Sequence, residues 1–388
     1  MTDKPQQRTV VELALLYLRL GTTAFGGPAA HIAMMDDEIV RRRNWLSREE
    51  FLDYLGLVNL IPGPSSTEMA IQIGYRLAGA AGLVIAGVCF ILPAAFLVLG
   101  LAWTYVRYGA LPQVGGVLYG IKAVVIAIVF QAIWNLSKTA VKSTRLAIIG
   151  ALAIVGSALG LNVLIVLFGA GILSIITAMP KAPADISLSK ASLGFVPRLL
   201  AGKWVIVAVT AIPFGLLPLF FFFFKVGATL FGSGYVLLAY LRTDLVLRLH
   251  WLTDKQLLDA IAVGQVTPGP VFTTATFIGY LLGGVPGAVV ATFGIFVPSF
   301  FFVALFGRLV RRMRQSKSFG SFLDGVNVGA LALMVVVTWY LGRAALVDKT
   351  TIALAILSGI ALIRYRINST WLIAAGGIVG YVAVRALV

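Results

Sequence analysis

Apolar residues run through most of this chain in long stretches, separated by short polar connectors and broken by glycine and proline. The stretches predict membrane helices at about 10–27, 81–104, 117–135, 145–160 and 162–178. A second set falls at about 204–233, 285–306, 322–341, 351–363 and 369–387, with Pro213 and Pro218 interrupting its first and longest member. The short runs come as back-to-back pairs turning at Leu161-Asn162 and Asn368-Ser369, with just enough residues for tight hairpins. Two stretches, 48–79 and 254–283, follow another pattern. Each opens with a capping box, Ser47 with Glu50 or Thr253 with Gln256, then forms a short semi-apolar helix, breaks at Pro-Gly-Pro and resumes in residues rich in Ser, Thr and Gln. Neither arm reaches the ~20 residues of a span. They predict helical hairpins that enter the membrane and turn back, which is tolerated where broken backbone is buried in protein or faces a watery cavity. An amphipathic surface helix followed by a kinked span is the alternative.

The whole pattern occurs twice, about 206 positions apart. Gly21 matches Gly227, Phe25-Gly26 matches Phe231-Gly232, Trp45-Leu46 matches Trp251-Leu252, Asp53 matches Asp259, and Pro62-Gly63-Pro64 matches Pro268-Gly269-Pro270. After one deletion Ile73-Gly74-Tyr75 matches Ile278-Gly279-Tyr280, and Gly82, Pro93, Gly120 and Trp134 match Gly287, Pro298, Gly325 and Trp339. Duplicated apolar segments broken at corresponding Gly and Pro are the pattern of a secondary transporter. The polar stretch 180–202 is read as a cytoplasmic linker between a first repeat, 1–179, and a second, 203–388. Basic residues alternate between the halves: Arg107 stands against Arg308, Arg311, Arg312, Arg314 and Lys317, whereas Lys138, Lys142 and Arg145 stand against Arg343 and Lys349. By the positive-inside rule the halves then lie in opposite orientations, with Arg41, Arg42, Arg43 and the linker inside and the N-terminus outside. The expected fold is an all-α integral membrane protein of two inverted-topology repeats, about ten transmembrane helices plus two re-entrant helical hairpins broken at Pro-Gly-Pro.

Composition agrees. With 60% hydrophobic residues and a mean hydropathy of +0.97, lipid must cover part of the surface. The net charge of +16 then reflects topology, and nucleic acid is not an expected partner. The lone Cys89 excludes an internal disulfide and argues against a thiolate metal site; no metal and no cofactor is expected. No clean signal peptide opens the chain, so residue 1 is expected in the mature protein. His31 and His250 fall in polar connectors and read as bystanders.

Few polar groups lie at membrane depth. Arg19 and Lys225 share a repeat position, and two symmetric cations suggest an anionic substrate between the repeats; Arg19 snorkelling to an interface or pairing with Glu12 is the alternative. Phe25-Gly26-Gly27-Pro28 and Phe231-Gly232-Ser233-Gly234 let backbone approach an ion closely, or are plain helix ends. Behind the turns at Pro62, Gly63, Pro64 and at Pro268, Gly269, Pro270 stand hydroxyls, Ser65, Ser66 and Thr67 in one half and Thr273 and Thr274 in the other. A helix N-terminus there offers an oxyanion seat, although each proline removes one donor. Thr267 precedes the second turn. Lys122, matched by Asn327, needs a partner, and Glu68, Asp53 and Gln131 are candidates by type. Glu68 has no carboxylate counterpart and is a candidate for proton coupling or a structural ion pair. Trp45 and Trp251 fit interfacial anchors.

The Phe-Gly-Gly-Pro, Trp-Leu and Pro-Gly-Pro elements in this order, duplicated in one chain, resemble the long-chain, two-repeat form of the chromate ion transporter family, over nearly the whole length. The resemblance implies an inner-membrane protein that exports chromate and confers resistance, with sulfate as a competing or exchanged anion. Carried over by motif are Phe25, Gly26, Gly27, Pro28, Pro62, Gly63 and Pro64, then Phe231, Gly232, Pro268, Gly269 and Pro270; Ser233 and Gly234 depart from the first copy. The expected function is secondary export of an oxyanion, chromate first, across a bacterial-type cytoplasmic membrane, by membrane potential or by ion or anion exchange. The alternatives are an anion channel, or a carrier of sulfate or another tetrahedral oxyanion. A homodimer is left open. No phosphate-binding loop, dinucleotide signature or cysteine cluster supports an enzyme.

Overall fold

The computed structural model describes residues 9–25, 27–109, 111–178, 214–231, 234–306 and 317–387. Helix α1 (Val10–Thr23) is N-capped by Thr9, whose side chain accepts from the Glu12 amide. Helix α2 (Gly27–Met35) runs directly into a π-helical segment, Asp36–Arg42. The expected capping box, Ser47 with Glu50, starts α3 (Arg48–Val58). Then come α4 (Ser65–Tyr108), α5 (Pro112–Ala140), α6 (Thr144–Ala158) and α7 (Val163–Ala178). The second half repeats this order: α8 (Leu216–Thr229), a short α9 (Leu237–Tyr240) leading into π-helical Leu241–Arg248, and α10 (Asp254–Val266) behind its Thr253–Gln256 capping box. It continues with α11 (Thr274–Phe306), α12 (Lys317–Ala345), α13 (Lys349–Arg364) and α14 (Ser369–Leu387).

Each Pro-Gly-Pro stands between two helices, α3 and α4 in the first half and α10 and α11 in the second, and the later helix of each pair continues across a kink. Helix α4 kinks at Ala78-Gly79, where Gly79 has φ 60° and ψ −147°. Helix α11 kinks at Gly283-Gly284, where Gly284 has φ 61° and ψ −151°. A positive φ is open to glycine at little cost, so the kink sits where the sequence supplies one. The match extends to Asn44 (φ 49°) and His250 (φ 53°), which end the two π-helical segments in the left-handed conformation. The expectation of polar connectors around both histidines holds for exposed His250 only: His31 lies inside α2, 1% exposed and edge-on to Phe90. The linker 180–202, the start of the predicted 204–233 helix, and Gly26, Gly232 and Ser233 lie outside the described residues.

The halves exchange their last hairpins. Helix α5 packs along α13 and α14, and its counterpart α12 packs along α6 and α7. Glycines permit the contact. Gly116 and Gly120 on α5 face Gly376 and Gly380 on α14, and Gly325 and Gly329 on α12 face Ala170 and Gly171 on α7. Such small-residue stripes let helix backbones approach in lipid, where packing rather than water expulsion drives association. Helices α1 and α4 pair as α8 and α11 do, and α4 meets α11 at the centre. Among the described residues, four helical stretches are long and apolar enough to cross a membrane: Ser65–Tyr108, Gln113–Ala140, Val271–Leu305 and Ser318–Ala345. Phe96, Phe293, Trp339 and Trp371 are largely exposed on the outside, as lipid-facing side chains would be.

Candidate functional site

At the centre the two Pro-Gly-Pro turns cross onto each other's half. The Gly63 amide donates to the Leu230 carbonyl at 2.7 Å, and the Gly269 amide donates to the Ala24 carbonyl at 2.9 Å. Ala24 and Leu230 are the matched residues that close α1 and α8. Proline has no N–H, so glycine holds the one backbone donor in each tripeptide, and both donors are committed to the opposite half. Gly63 (φ 140°) and Gly269 (φ 87°) are held in a conformation that other residues resist. The broken corners also meet. A Cβ on Gly27 would lie 3.7 Å from the Tyr235 hydroxyl, and one on Gly234 would lie 3.9 Å from Pro28 Cγ. Phe25 and Phe231 flank these corners, Phe25 exposed and Phe231 half-buried.

The first half supplies a buried polar cluster behind this crossing. Helix α4 begins at Ser65 without a side-chain cap, and Ser66, Thr67 and Glu68 in its first turn are buried. His31 links the cluster to α1: Nδ1 lies 3.2 Å from the Ser66 hydroxyl and Nε2 lies 3.1 Å from the Ala24 carbonyl. A carbonyl only accepts, so Nε2 carries the proton and Ser66 donates to Nδ1. Glu68 is fully buried, with the Ser299 hydroxyl as its hydrogen-bonding neighbour and no cation paired to it among the described residues. Its carboxylate and the Ser299 hydroxyl of the other half both crowd the space a Gly63 Cβ would take, the hydroxyl at 2.8 Å from that point. The hydroxyls of Thr67 and Tyr17 are buried without partners.

The second half is apolar or self-satisfied in the same place. Ala94, the counterpart of Ser299, stands over Gly269, 2.7 Å from where its Cβ would be. Thr267, Thr273 and Thr274 bond back to Val263, Pro270 and Val271 carbonyls in their own turns. Pro268, Gly269 and Pro270 are all buried.

The matched cations have carboxylate partners, and Arg19, expected at depth, has a side chain that is more than half exposed. Arg19, Arg42 and Arg43 converge on Glu38 at 3.5, 3.3 and 3.3 Å. In the second half Lys225 pairs with Asp244, which Arg248 also approaches at 3.8 Å. Glu38 and Asp244 stand at matched positions on the π-helical segments, so the signal for these pairs was present in the repeat, not in residue type. Lys122 pairs with Asp259 of the opposite half at 2.6 Å, and the Tyr105 hydroxyl donates to the same carboxylate at 2.8 Å. This corrects the candidates suggested by residue type: Asp53 is exposed, Gln131 donates to the Leu362 carbonyl, and Glu68 lies under Gly63. Asp259 is 1% exposed, so its ion pair is internal. Among the described residues no group of three His, Cys, Asp or Glu could hold a metal ion.

The family model for chromate transporters matches residues 11–175 and again 217–381. The chain belongs to the chromate transporter family. Its chromate transporter repeats therefore contain every charged and polar residue of the site, from Arg19, Glu38 and Glu68 to Lys225, Asp244 and Ser299. The chromate transport protein of Cupriavidus metallidurans is 32% identical over 390 residues, 97% of this chain and 93% of that protein. The chromate transport protein of Pseudomonas aeruginosa is 30% identical over 391 residues, with the same coverage. A probable chromate transport protein of Synechococcus elongatus is 30% identical over 352 residues, 89% of this chain and 88% of that protein. No solved structure matches the chain.

Proposed function

We propose that the chain exports a tetrahedral oxyanion, chromate first and sulfate as a competing or exchanged ion, across the cytoplasmic membrane. The reciprocal bonds Gly63 to Leu230 and Gly269 to Ala24 carry this reading. They tie each broken helix to the other half through single hydrogen bonds, so a rocking motion exchanges two equivalent sets of contacts around one centre. Inverted repeats with discontinuous helices work in this way. The centre is asymmetric, which suits a carrier whose two faces differ in affinity. Arg19, Lys225 and Lys122 supply positive charge near the path, and their carboxylate partners hold them until an anion competes. Phe25, Gly27, Pro28, Phe231 and the two Pro-Gly-Pro turns shape the crossing, Gly26, Gly232 and Ser233 complete the corners in sequence, and Ser65 and Ser66 open the uncapped end of α4.

Export needs no ATP. Moving one charge out of a negative cytoplasm gains ~2.3 kcal/mol per 100 mV, and a dianion gains about twice that. That difference sustains roughly a thousandfold gradient. Glu68, buried beside Ser299 with no counter-ion, is the site where a proton would couple to the anion. The test is radiotracer uptake into inverted vesicles, comparing chromate, sulfate and molybdate with and without a membrane potential. Saturable, potential-stimulated uptake that loses capacity in Arg19→Ala, Lys225→Ala and Lys122→Ala supports the carrier. A picoampere conductance would replace it with a channel, and unchanged uptake in all three variants would remove the cation seat.

A further inference from the structure

A cavity of about 700 Å³ lies away from the central crossing. One wall is the α6–α7 turn at Gly160, Leu161 and Asn162. The second π-helical segment with Arg242, Asp244 and Arg248 and α12 with Tyr340 also line it. Asp244 and Arg248 also line a neighbouring cavity of about 390 Å³ that contains Lys225. The two spaces thus meet at one ion pair, and the deep cation lies on its far side. Water occupies about 30 Å³ per molecule, so the larger cavity holds a small anion with several of its waters.

The lining carries two arginines, Arg242 and Arg248, and one carboxylate, Asp244. Arg242 is fixed on two sides, by Asp254 at 2.9 Å through Nε and by stacking over Tyr340 at 4.2 Å. A guanidinium has five N–H donors, and this pairing uses one edge of it. Arg248 reaches Asp244 only at 3.8 Å, a Coulombic contact longer than a hydrogen bond. The matched position to Arg242 in the first half is Asp36. The repeat therefore carries opposite charge at this place in its two halves, and only the second half offers a cation there.

We propose that this cavity is an oxyanion-binding vestibule, in which Arg242 and Arg248 hold a soluble tetrahedral dianion and Asp244 separates it from Lys225. The proposal deepens the transport reading and rests on it for the class of anion. Passage inward requires the anion to take Asp244's place on Lys225, so Asp244 acts as an internal competitor.

The chain has one cysteine, so a Cys89→Ser background with Ser157→Cys on the cavity wall gives a single reporter thiol. Its modification by a charged thiol reagent is followed in phosphatidylcholine proteoliposomes. Sulfate is the probe, because chromate itself oxidises thiols. Sulfate is expected to slow modification saturably, chloride at equal ionic strength to have no such effect, and Arg248→Gln to raise the half-protecting sulfate concentration by about tenfold. Arg248→Lys, which keeps the charge, is expected to retain most of the protection and controls for folding. Modification indifferent to sulfate overturns the vestibule. So does protection that appears only in phosphatidylglycerol vesicles without sulfate, which assigns the site to lipid phosphate. Labelled chromate counterflow in the same vesicles tells the two readings apart. Saturable counterflow with an indifferent thiol rejects the vestibule alone, whereas absent counterflow rejects the transport reading.

Discussion

Asp36 binds Arg48, and the two matched positions in the second half hold Arg242 and Asp254, 2.9 Å apart, with their charges exchanged. Each pair ties a π-helical segment to the first turn of the helix that follows, α3 or α10. The chain has kept the contact and not its sign, so the contact is what the fold requires. Asp36→Arg alone is expected to destabilise the protein by about 1–3 kcal/mol through the orphaned Arg48 and Arg41 contacts. Asp36→Arg with Arg48→Asp, which copies the second half, is expected to recover most of that loss. Thermal unfolding in detergent reads both, and a double variant no better than the single one contradicts the idea.

Lys122 and Asp259 form the most deeply buried ion pair that joins the halves among the described contacts. Removing one member leaves an uncompensated buried charge, which costs about 3–5 kcal/mol. Lys122→Met is therefore expected to be more damaging than Lys122→Met with Asp259→Asn, in which Tyr105 still has a hydrogen-bond acceptor. The order of melting temperatures checks this, and equal losses would deny the pair its structural role.

Glu68→Gln preserves shape and removes the titrating proton. Potential-driven chromate flux is expected to remain within about threefold of wild type, because the carboxyl is already without a counter-ion. Proton movement accompanying chromate, read with an internal pH dye, is expected to vanish. A Gln variant that still moves protons with chromate would take Glu68 out of the coupling scheme.

Gly120 and Gly325 occupy matched crossings, where backbone of the other half fills the place of a side chain. Gly120→Val or Gly325→Val forces the exchanged hairpins apart and is expected to cost at least about 1–3 kcal/mol. Gly100 has open space at the corresponding point, and Gly100→Ala is expected to be neutral or slightly stabilising. Size-exclusion profiles of the solubilised variants compare them.

Asp348 caps α13, accepting from the Thr351 amide at 2.8 Å and from the Tyr119 hydroxyl. Those hydrogen bonds hold its carboxyl below the usual carboxylate range. A depressed folded-state value means stabilisation that is full above the unfolded value of about 4 and is lost as pH falls below it. Asp348→Ala is expected to cost about 0.5–2 kcal/mol at neutral pH. The gap between the variant and wild type is expected to narrow below about pH 4 in hydrogen exchange at the start of α13. A gap that widens with acid would reverse the assignment.

Much of the architecture was legible in the chain because it was written twice. Hydrophobic length marked the long apolar helices, the capping boxes marked the starts of α3 and α10, and the 206-residue offset aligned Arg19 with Lys225. Local rules suffice for these features, since burial in lipid, proline's missing donor and glycine's free φ act on neighbouring residues. The helical nature of 27–42 was not legible, because its apolar run is short and its second part is a charged π-helix whose arginines and acids read as a connector.

Partnership across the halves was the part that only tertiary structure decided. Residue type left Lys122 with three candidate carboxylates or amides, and folding chose Asp259, which none of them was. The matched cations looked alike in sequence, yet one meets Glu38 in a cluster of arginines and the other meets Asp244 between two cavities. Ser299 reached Gly63, and Ala94 reached Gly269, because the repeats cross at their turns. A repeat specifies each half's own helices through local chemistry, whereas the crossing depends on which backbones can come close, and that is settled by packing over distances the sequence does not order.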